Sequence, residues 1–535
     1  MAKILLFEKE SLTKIKAGVE KIGSAVGVTM GPNGKNVIIS RNNALAVTKD
    51  GVTVASEIQL EDPIEAVGAE LIKQISRKTA IEAGDGTTTS TVLASSIFLY
   101  GLDQLDKGIN PIEMKVGMEL QVKKIVSKLK KISIPIKVGD TKTIKNIASI
   151  SANNDSVIGE LIADAFSAIG FNGVISVRES KTAETFIEIA DGLQFDQGYV
   201  SPFFIMNEKS KVEFEKPLIF IYDGKINTFN EIFKLLEYAS NTKSPIVFIC
   251  DGIDAEALNA ILVNCMKANL KACVVKAPAY GEQRFNMLLD IATVIGGGVI
   301  SEKDGVHISE VITPEQILKY KGSCDKIEID SKSTTIIGGK GSAQDIEIRV
   351  NQIREAANSE QNTSNQLILQ ERAARLSDGV AILKVGANSE LELKEKLERI
   401  DDSLSATRAA IAEGYIPGGG SILYDLSKKL KTTSKNPNIQ AGIDVINNAC
   451  RIPLKIIANN SGKTLEYVEG ILKKGYGYNA KTDKVEKLIK SGVIDPVKVT
   501  RCSLENALSV ASLMLTTGCM MVQTTENALT YNPNL

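Results

Sequence analysis

The strongest local signal of chemistry in this chain is Ala83-Gly84-Asp85-Gly86-Thr87-Thr88-Thr89, where two glycines flank a carboxylate and three hydroxyls follow. Such a loop suits phosphate. Glycine lets backbone amides approach the oxygens, a helix beginning immediately afterwards adds partial positive charge, and the threonines donate further hydrogen bonds. Asp85 would then hold Mg²⁺, a hard cation that takes carboxylate and phosphate oxygens together. A glycine-rich helix cap with no ligand accounts for the same residues. Two more glycine loops, Thr29-Met30-Gly31-Pro32-Asn33-Gly34 and Gly418-Gly419-Gly420, read singly as helix stops that also permit close approach to a ligand. Asp50 and the pair Asp401-Asp402 are carboxylates beside such loops, and most aspartates are solvated surface. Ser461-Gly462-Lys463-Thr464 imitates the end of a P-loop, but the first glycine of that motif would fall at Ile457 and no strand precedes it.

Composition narrows the chemistry. With one histidine, His307, no His-rich metal site or His relay can be built, so polar chemistry falls to carboxylates, hydroxyls, lysines and backbone amides. The seven cysteines, Cys250, Cys265, Cys273, Cys324, Cys450, Cys502 and Cys519, are odd in number and lack close pairing. They read as free thiols in a reducing compartment. Lys and Arg total 63 against 64 Asp and Glu, so no global field draws the chain to nucleic acid or anionic lipid. The apolar run Ile4 to Phe7 is too short for a signal peptide, and no stretch reaches the length of a membrane span. The expected location is cytoplasmic.

The elements that must position these loops follow from periodicity. Leu12, Ile15, Val19, Ile22 and Val26 step by three and four, the pattern of a long amphipathic helix that stops at Gly31-Pro32-Asn33-Gly34. Asn36–Ser40 and Ala44–Thr48 read as strands joined by Asn42-Asn43, as in a hairpin. Helices dominate from there to about Lys131, and the one resuming after Thr89 aligns Leu93, Ile97 and Tyr100. Between about Asp191 and Gly379 apolar runs, Leu218–Tyr222, Pro245–Cys250, Ala272–Lys276 and Thr293–Ser301, alternate with helices starting near Thr228, Asp254 and Glu282. That rhythm predicts an α/β domain with a largely parallel sheet. Two of its helices carry apolar stripes: Phe229, Ile232, Phe233 and Leu236, then Leu258, Ile261, Leu262 and Cys265. Core packing is the ordinary reading of such a stripe, and a groove for apolar chain segments is the other. Helical periodicity returns with Glu390–Glu413. At 535 residues about three domains are expected.

Together these motifs resemble the bacterial group I chaperonins, the GroEL-like proteins, from about Lys3 to Glu526. The resemblance rests on Thr29–Gly34 with Lys35-Asn36-Val37, Lys49-Asp50-Gly51-Val52, Ala83–Thr89, Ile150-Ser151-Ala152-Asn153, Gly198-Tyr199, Ala406-Thr407-Arg408-Ala409-Ala410, Gly418-Gly419-Gly420, Gly477-Tyr478-Asn479-Ala480, and Asp495-Pro496 with Lys498-Val499-Thr500-Arg501. It implies a multi-domain chaperonin fold. A mainly helical equatorial domain would take 1–132 and 413–535, a small α/β intermediate domain 133–190 and 380–412, and an α/β apical domain 191–379. Gly192 and Gly379 look like its hinges.

The implied activity is that of an ATP-driven chaperone with an ATPase site. By the resemblance, Thr29, Met30, Gly31, Pro32, Lys49, Asp85, Gly86, Thr87, Thr88, Thr89, Gly419, Asn479, Ala480, Lys481 and Asp495 form the nucleotide pocket. Asp85 is the Mg²⁺ ligand, K⁺ is held through backbone carbonyls near Thr29 and Lys49, and Asp402 and Asp50 are the catalytic carboxylates. Tyr199, Ser201, Phe203, Phe204, Phe233, Leu236, Leu258, Leu262 and Val263 match the surface that captures non-native polypeptides. The implied partners are those clients, other copies in a seven-membered ring, single or stacked, and a lid co-chaperonin, with neither nucleic acid nor membrane. The chain departs from the family at its end, Tyr531-Asn532-Pro533-Asn534-Leu535, which lacks a Gly-Gly-Met tail. It departs also at the ring-to-ring contact, where Asp103, Lys107, Lys463 and Thr464 replace the usual residues around Lys455 and predict a weakened double ring. These divergences suit a bacterial duplicate or a phage-borne copy working in host cytoplasm. A soluble phosphotransferase would use the same phosphate loop, but it needs an acceptor pocket that no sequence feature supplies.

Overall fold

A computed structural model describes residues 3–41, 44–171, 173–180, 182–190, 192–205, 211–268, 270–360, 362–377, 380–430 and 432–523. Gly379, the Asn42-Asn43 turn and the Tyr531–Leu535 end lie outside the described residues. The chain divides into two compact units. One draws on Met1–Asp164, Glu179–Thr185 and Val385–Leu535, the other on Ala165–Arg178 and Phe186–Lys384.

The first unit is mainly helical, built from both flanks of the chain. Helix Glu8–Gly27 turns Ile15, Val19, Ile22 and Val26 into the core, as their spacing requires. It ends at Gly27, four residues before the expected glycine. Helix Pro63–Ala83 starts on Asp62, whose carboxylate accepts the Ile64 and Glu65 N–H groups, with proline at the first helical position. Helices Thr87–Leu105 and Val497–Leu515 supply the central layer, where Leu93, Ile97 and Phe98 are buried with Leu504, Ala507 and Ala511. Helices Pro111–Ile132 and Pro437–Ala449 cross backbone to backbone. A Cβ on Gly117 would lie 2.0 Å from the Ile439 carbonyl, and one on Gly442 would lie 1.9 Å from that of Met114. Sequence-distant flanks are thereby fused into one core. The chain ends are joined as well: strand Lys3–Phe7 runs antiparallel to Cys519–Gln523, with Lys3 opposite Gln523. Strands Val37–Arg41 and Ala44–Thr48 pair antiparallel, as expected of a hairpin.

The second unit contains an eight-stranded sheet. Ala272–Lys276, Ile246–Ile253 and Leu218–Ile226 lie parallel, with Val299–Ile300 also parallel to the last. Helices Phe229–Thr242, Ala255–Ala268 and Gly281–Ile295 alternate with these strands, which fits the predicted rhythm. The rest of the sheet corrects the expectation of a largely parallel one. Gly322–Ile329, Thr334–Gly339, Gly192–Phe195 and Val212–Glu215 all pair antiparallel. The run Thr293–Ser301 is also corrected. It is helical to Ile295, breaks at Gly296 (φ 68°), and is strand only at Val299–Ile300. A smaller sheet orders Val174–Glu179, Val380–Val385 and Phe186–Ala190.

Gly192, expected as a hinge, lies in a paired strand of the second unit. A Cβ there would lie 2.4 Å from the Ile336 carbonyl oxygen and 2.6 Å from Val380 Cγ2, so close packing demands this glycine. His307 caps a short turn by accepting the Ser309 N–H, a structural role. All seven cysteines are free, and only Cys519 is exposed. Among the described residues no helix is long and apolar enough to cross a membrane.

Candidate functional site

The Gly84–Thr89 loop joins two helices through a pair of left-handed glycines. Gly84 (φ 71°) closes Pro63–Ala83 and Gly86 (φ 82°) opens Thr87–Leu105. Only glycine takes this conformation at little cost, and a Cβ on Gly86 would strike Val499 and Ser503. The loop therefore presents Asp85 and the Thr87–Thr89 end of the helix to one side. Asp85 is fixed by its own chain, accepting from the Gly86 N–H and from Ser151 Oγ at 2.7 Å.

The other segments converge on that side. Asp50 caps helix Gly51–Glu57, accepting from the Val52 and Thr53 N–H groups. Gly51 is so close to Thr88 that a Cβ would lie 2.3 Å from Thr88 Oγ1. The Thr29–Gly34 turn is held by Asn460, whose Nδ2 donates to the Met30 carbonyl at 2.9 Å, and by Asn33, which donates to that of Ala480 at 3.0 Å. Gly418 lies against the Asp495 carboxylate, and Gly419 (φ 64°) turns the chain into helix Ser421–Lys429. Asp402 stands on helix Glu390–Glu413, which is pinned where Ser403 Oγ donates to the Ala148 carbonyl at 2.9 Å. Thr29 to Pro32, Lys49, Asp50, Asp85 to Thr89, Asp402, Gly419, Asn479 to Lys481 and Asp495 all line this one cavity of the first unit.

Its buried carboxylates repel one another. Burial raises the Asp85 carboxyl above the usual range, and the nearby Asp50 raises it further, against hydrogen bonds from Ser151 and Gly86 that lower it. Burial, then Asp85 and Asp50, push Asp402 up to about 9. Burial and Asp85 push Asp495 up to about 7. Mutually repelling carboxylates around a phosphate-type loop fit Mg²⁺, which is held by one or two carboxylates together with phosphate and water. Asp85, in the loop itself, is the carboxylate that could hold such an ion.

A stability consequence follows for Asp495. Its folded pKa lies above its unfolded value, so between about pH 4 and pH 7 the folded chain keeps a proton that the unfolded chain releases, and stability falls as pH rises through that window. Asp495→Asn should therefore leave the ligand-free melting temperature unchanged near pH 4 and raise it by about 1 °C at pH 8, the response of a chain this long to roughly 1 kcal/mol. Melting curves at the two pH values check this, and a constant gap would exclude it.

The expected client surface lies in the second unit. Phe203, Phe233 and Val263 are exposed, and Tyr199 and Leu258 are half-buried. Ser201, Phe204, Leu236 and Leu262 are corrected: they are buried, at 6%, 2%, 5% and 8% exposure. Phe204, Leu236 and Leu262 face the core beside the sheet, and Ser201 caps the Pro202–Phe204 turn. Only the outer edge of each helical stripe is free. Met266, 66% exposed and three residues beyond Val263 on the same helix, extends that edge and was missed.

Sequence reasoning also missed Glu395, Glu398, Arg399 and Ser151, which line the cavity. The first three could have been found from Asp402, because residues three, four and seven positions earlier share its helix face.

A family model described as the TCP-1/cpn60 chaperonin family matches residues 22–525. The fold is also similar to crystal structures of the chaperonin gp146 from the bacteriophage EL 2 (Pseudomonas aeruginosa) in the presence of ATP-BeFx. Crystal form II gives a TM-score of 0.71 at 20% identity, covering 98% of this chain and 100% of that one. Crystal form I gives 0.65 at 21%, covering 97% and 99%.

Proposed function

Since the chain belongs to the TCP-1/cpn60 chaperonin family, we propose that its cavity binds and hydrolyses ATP and that this drives the capture and release of non-native polypeptides. The observation that carries the ATPase reading is the convergence of Asp50, Asp85 and Asp402 on the Thr87–Thr89 helix start within one cavity. Chaperone function comes with the family, and so does assembly into rings. A seven-membered ring, a K⁺ near the Thr29 and Lys49 carbonyls, a lid co-chaperonin, a cytoplasmic location and three domains hinged at Gly192 and Gly379 are further parts of the proposal. A soluble phosphotransferase is set aside by the family assignment.

The nucleotide phosphates lie against the Thr87–Thr89 N–H groups and hydroxyls, where a helix terminus favours anions. Asp402 and Asp50 orient a water for attack on the γ-phosphorus. The new P–O bond forms as the bond to the β,γ-bridging oxygen breaks, leaving ADP and inorganic phosphate, and the water proton passes to the Asp402 carboxylate. Asp85 would hold a Mg²⁺, which would supply charge to offset the phosphates and part of the repulsion among Asp85, Asp50 and Asp402. Exposed Phe203, Phe233 and Val263 bind clients by burying apolar surface, at about 25 cal/mol per Å² and without sequence specificity. Lys463, one of the residues by which the chain departs from the family at the ring-to-ring contact, is paired with Asp483 at 3.2 Å within its own chain.

The test is to assay purified protein for Mg²⁺-dependent ATPase activity and for suppression of aggregation of a denatured client. We expect both, with client release on adding ATP. Absence of ATP turnover in the assembled protein would overturn the ATPase reading.

A further inference from the structure

Helix Glu390–Glu413 offers the cavity more than Asp402. Glu395, Glu398, Arg399 and Asp402 all line it, spaced by threes and fours on one face. Among the described residues, the charged side chains lining the cavity are six carboxylates and three cations, Lys49, Lys481 and Arg399. That is an adverse balance for a ligand bearing several negative charges. Arg399 is the one guanidinium, and its Nε is buried without a hydrogen-bond partner while Nη2 holds Glu395 one turn away. A buried donor lacking a partner is a group waiting for one. A planar fork of N–H donors matches phosphate oxygens better than any other side chain.

We infer that Arg399 is the residue that recognises the terminal phosphate of the nucleotide, exchanging Glu395 for phosphate oxygens when a triphosphate enters. The inference rests on the cavity being the nucleotide site, and it assigns to the Asp402 helix a cation as well as a carboxylate. Glu395 is the competitor for that cation: with no triphosphate present it keeps the guanidinium occupied, and ADP has no γ-phosphate with which to displace it. Arg399 thus makes triphosphate selectivity a property of the same helix face that carries the water-orienting aspartate.

Calorimetric titration of the full-length protein with ATP and with ADP, together with single-turnover hydrolysis, tests this. Arg399→Gln should weaken ATP about 10-fold or more, leave ADP unchanged, and slow hydrolysis by about 10²-fold or more. Arg399→Lys should recover part of the ATP affinity and little of the rate. Glu395→Gln, which frees the guanidinium, should tighten ATP and not ADP. Equal loss of ATP and ADP in Arg399→Gln, or no loss of either, would overturn the assignment, as would unchanged or weaker ATP binding in Glu395→Gln. A parent protein that binds neither nucleotide would instead refute the nucleotide reading of the cavity itself.

Discussion

Asp402→Ala binds ATP as the parent chain does and turns it over about 10²- to 10⁴-fold more slowly, the span removed with a positioned general base. Binding survives because Asp402 stands on helix Glu390–Glu413 and is not part of the phosphate loop. The loop keeps its shape through Gly84, Gly86 and the Ser151 hydrogen bond to Asp85, none of which involves Asp402. Binding should even improve slightly, since a carboxyl that repels Asp85 and Asp50 is gone. The rate falls because no other residue on that helix replaces its oxygen: Glu398, one turn earlier, is itself raised above the usual carboxylate range by burial and Asp50. Equilibrium ATP binding alongside steady-state and single-turnover hydrolysis separates the two effects. Near-normal turnover would remove Asp402 from the mechanism, whereas lost binding would make it part of the phosphate site.

Phe233→Ser combined with Val263→Ser abolishes capture of a denatured client and leaves ATPase and melting temperature close to those of the parent. Both side chains are more than two-fifths exposed, so the folded chain loses little by their removal, while a client loses the apolar area it would cover. Leu236→Ser is the contrasting control. That side chain is buried beside Ile232 and Leu235, and its truncation to a polar group costs about 2–5 kcal/mol, so it should lower the melting temperature whatever it does to capture. Aggregation assays read at matched ATPase activity distinguish surface from core. Undiminished capture by the double variant would move the client site elsewhere on the second unit.

Much of this was legible in the residues themselves. The Gly84–Thr89 loop announced both helix ends, because glycine between helical patterns with a carboxylate and hydroxyls beside it has few other uses. The helix carrying Ile15, Val19, Ile22 and Val26 followed from spacing alone. Periodicity was less decisive where burial is complete. Thr293–Ser301 carries Gly296-Gly297-Gly298 at its centre, where a buried helix ends before a short strand, and reading the run as one strand overlooked that break. Strand order was also hidden: the antiparallel partners Gly322–Ile329 and Thr334–Gly339 are set by contacts between distant segments. The client stripes show a third limit. Spacing identifies the apolar face of Phe229–Thr242, but how wide a band the sheet covers depends on packing, and it covers Leu236 while leaving Phe233 free. At the cavity, the motif loops were visible, but Arg399 was passed over, since an arginine in a charged helix reads as solvated surface unless its spacing of three from Asp402 is used to place it on the same face.

The strand pairing that joins Lys3–Phe7 to Cys519–Gln523 has a consequence for how the chain is made. A ribosome releases the Lys3–Phe7 strand well before its partner, with the whole second unit synthesised between them. That central unit, continuous from Phe186 to Lys384 apart from one short preceding segment, can gather its sheet while translation continues. The N-terminal helices cannot do likewise: Leu93 and Ile97 wait for Leu504 and Ala507, some four hundred residues later, with their apolar faces uncovered. Closing so long a loop is entropically affordable once the middle is compact, but it sets the order of events. A chaperone subunit built this way spends its own synthesis as an unfinished chain with exposed apolar helices, the same kind of surface that its mature form binds in others.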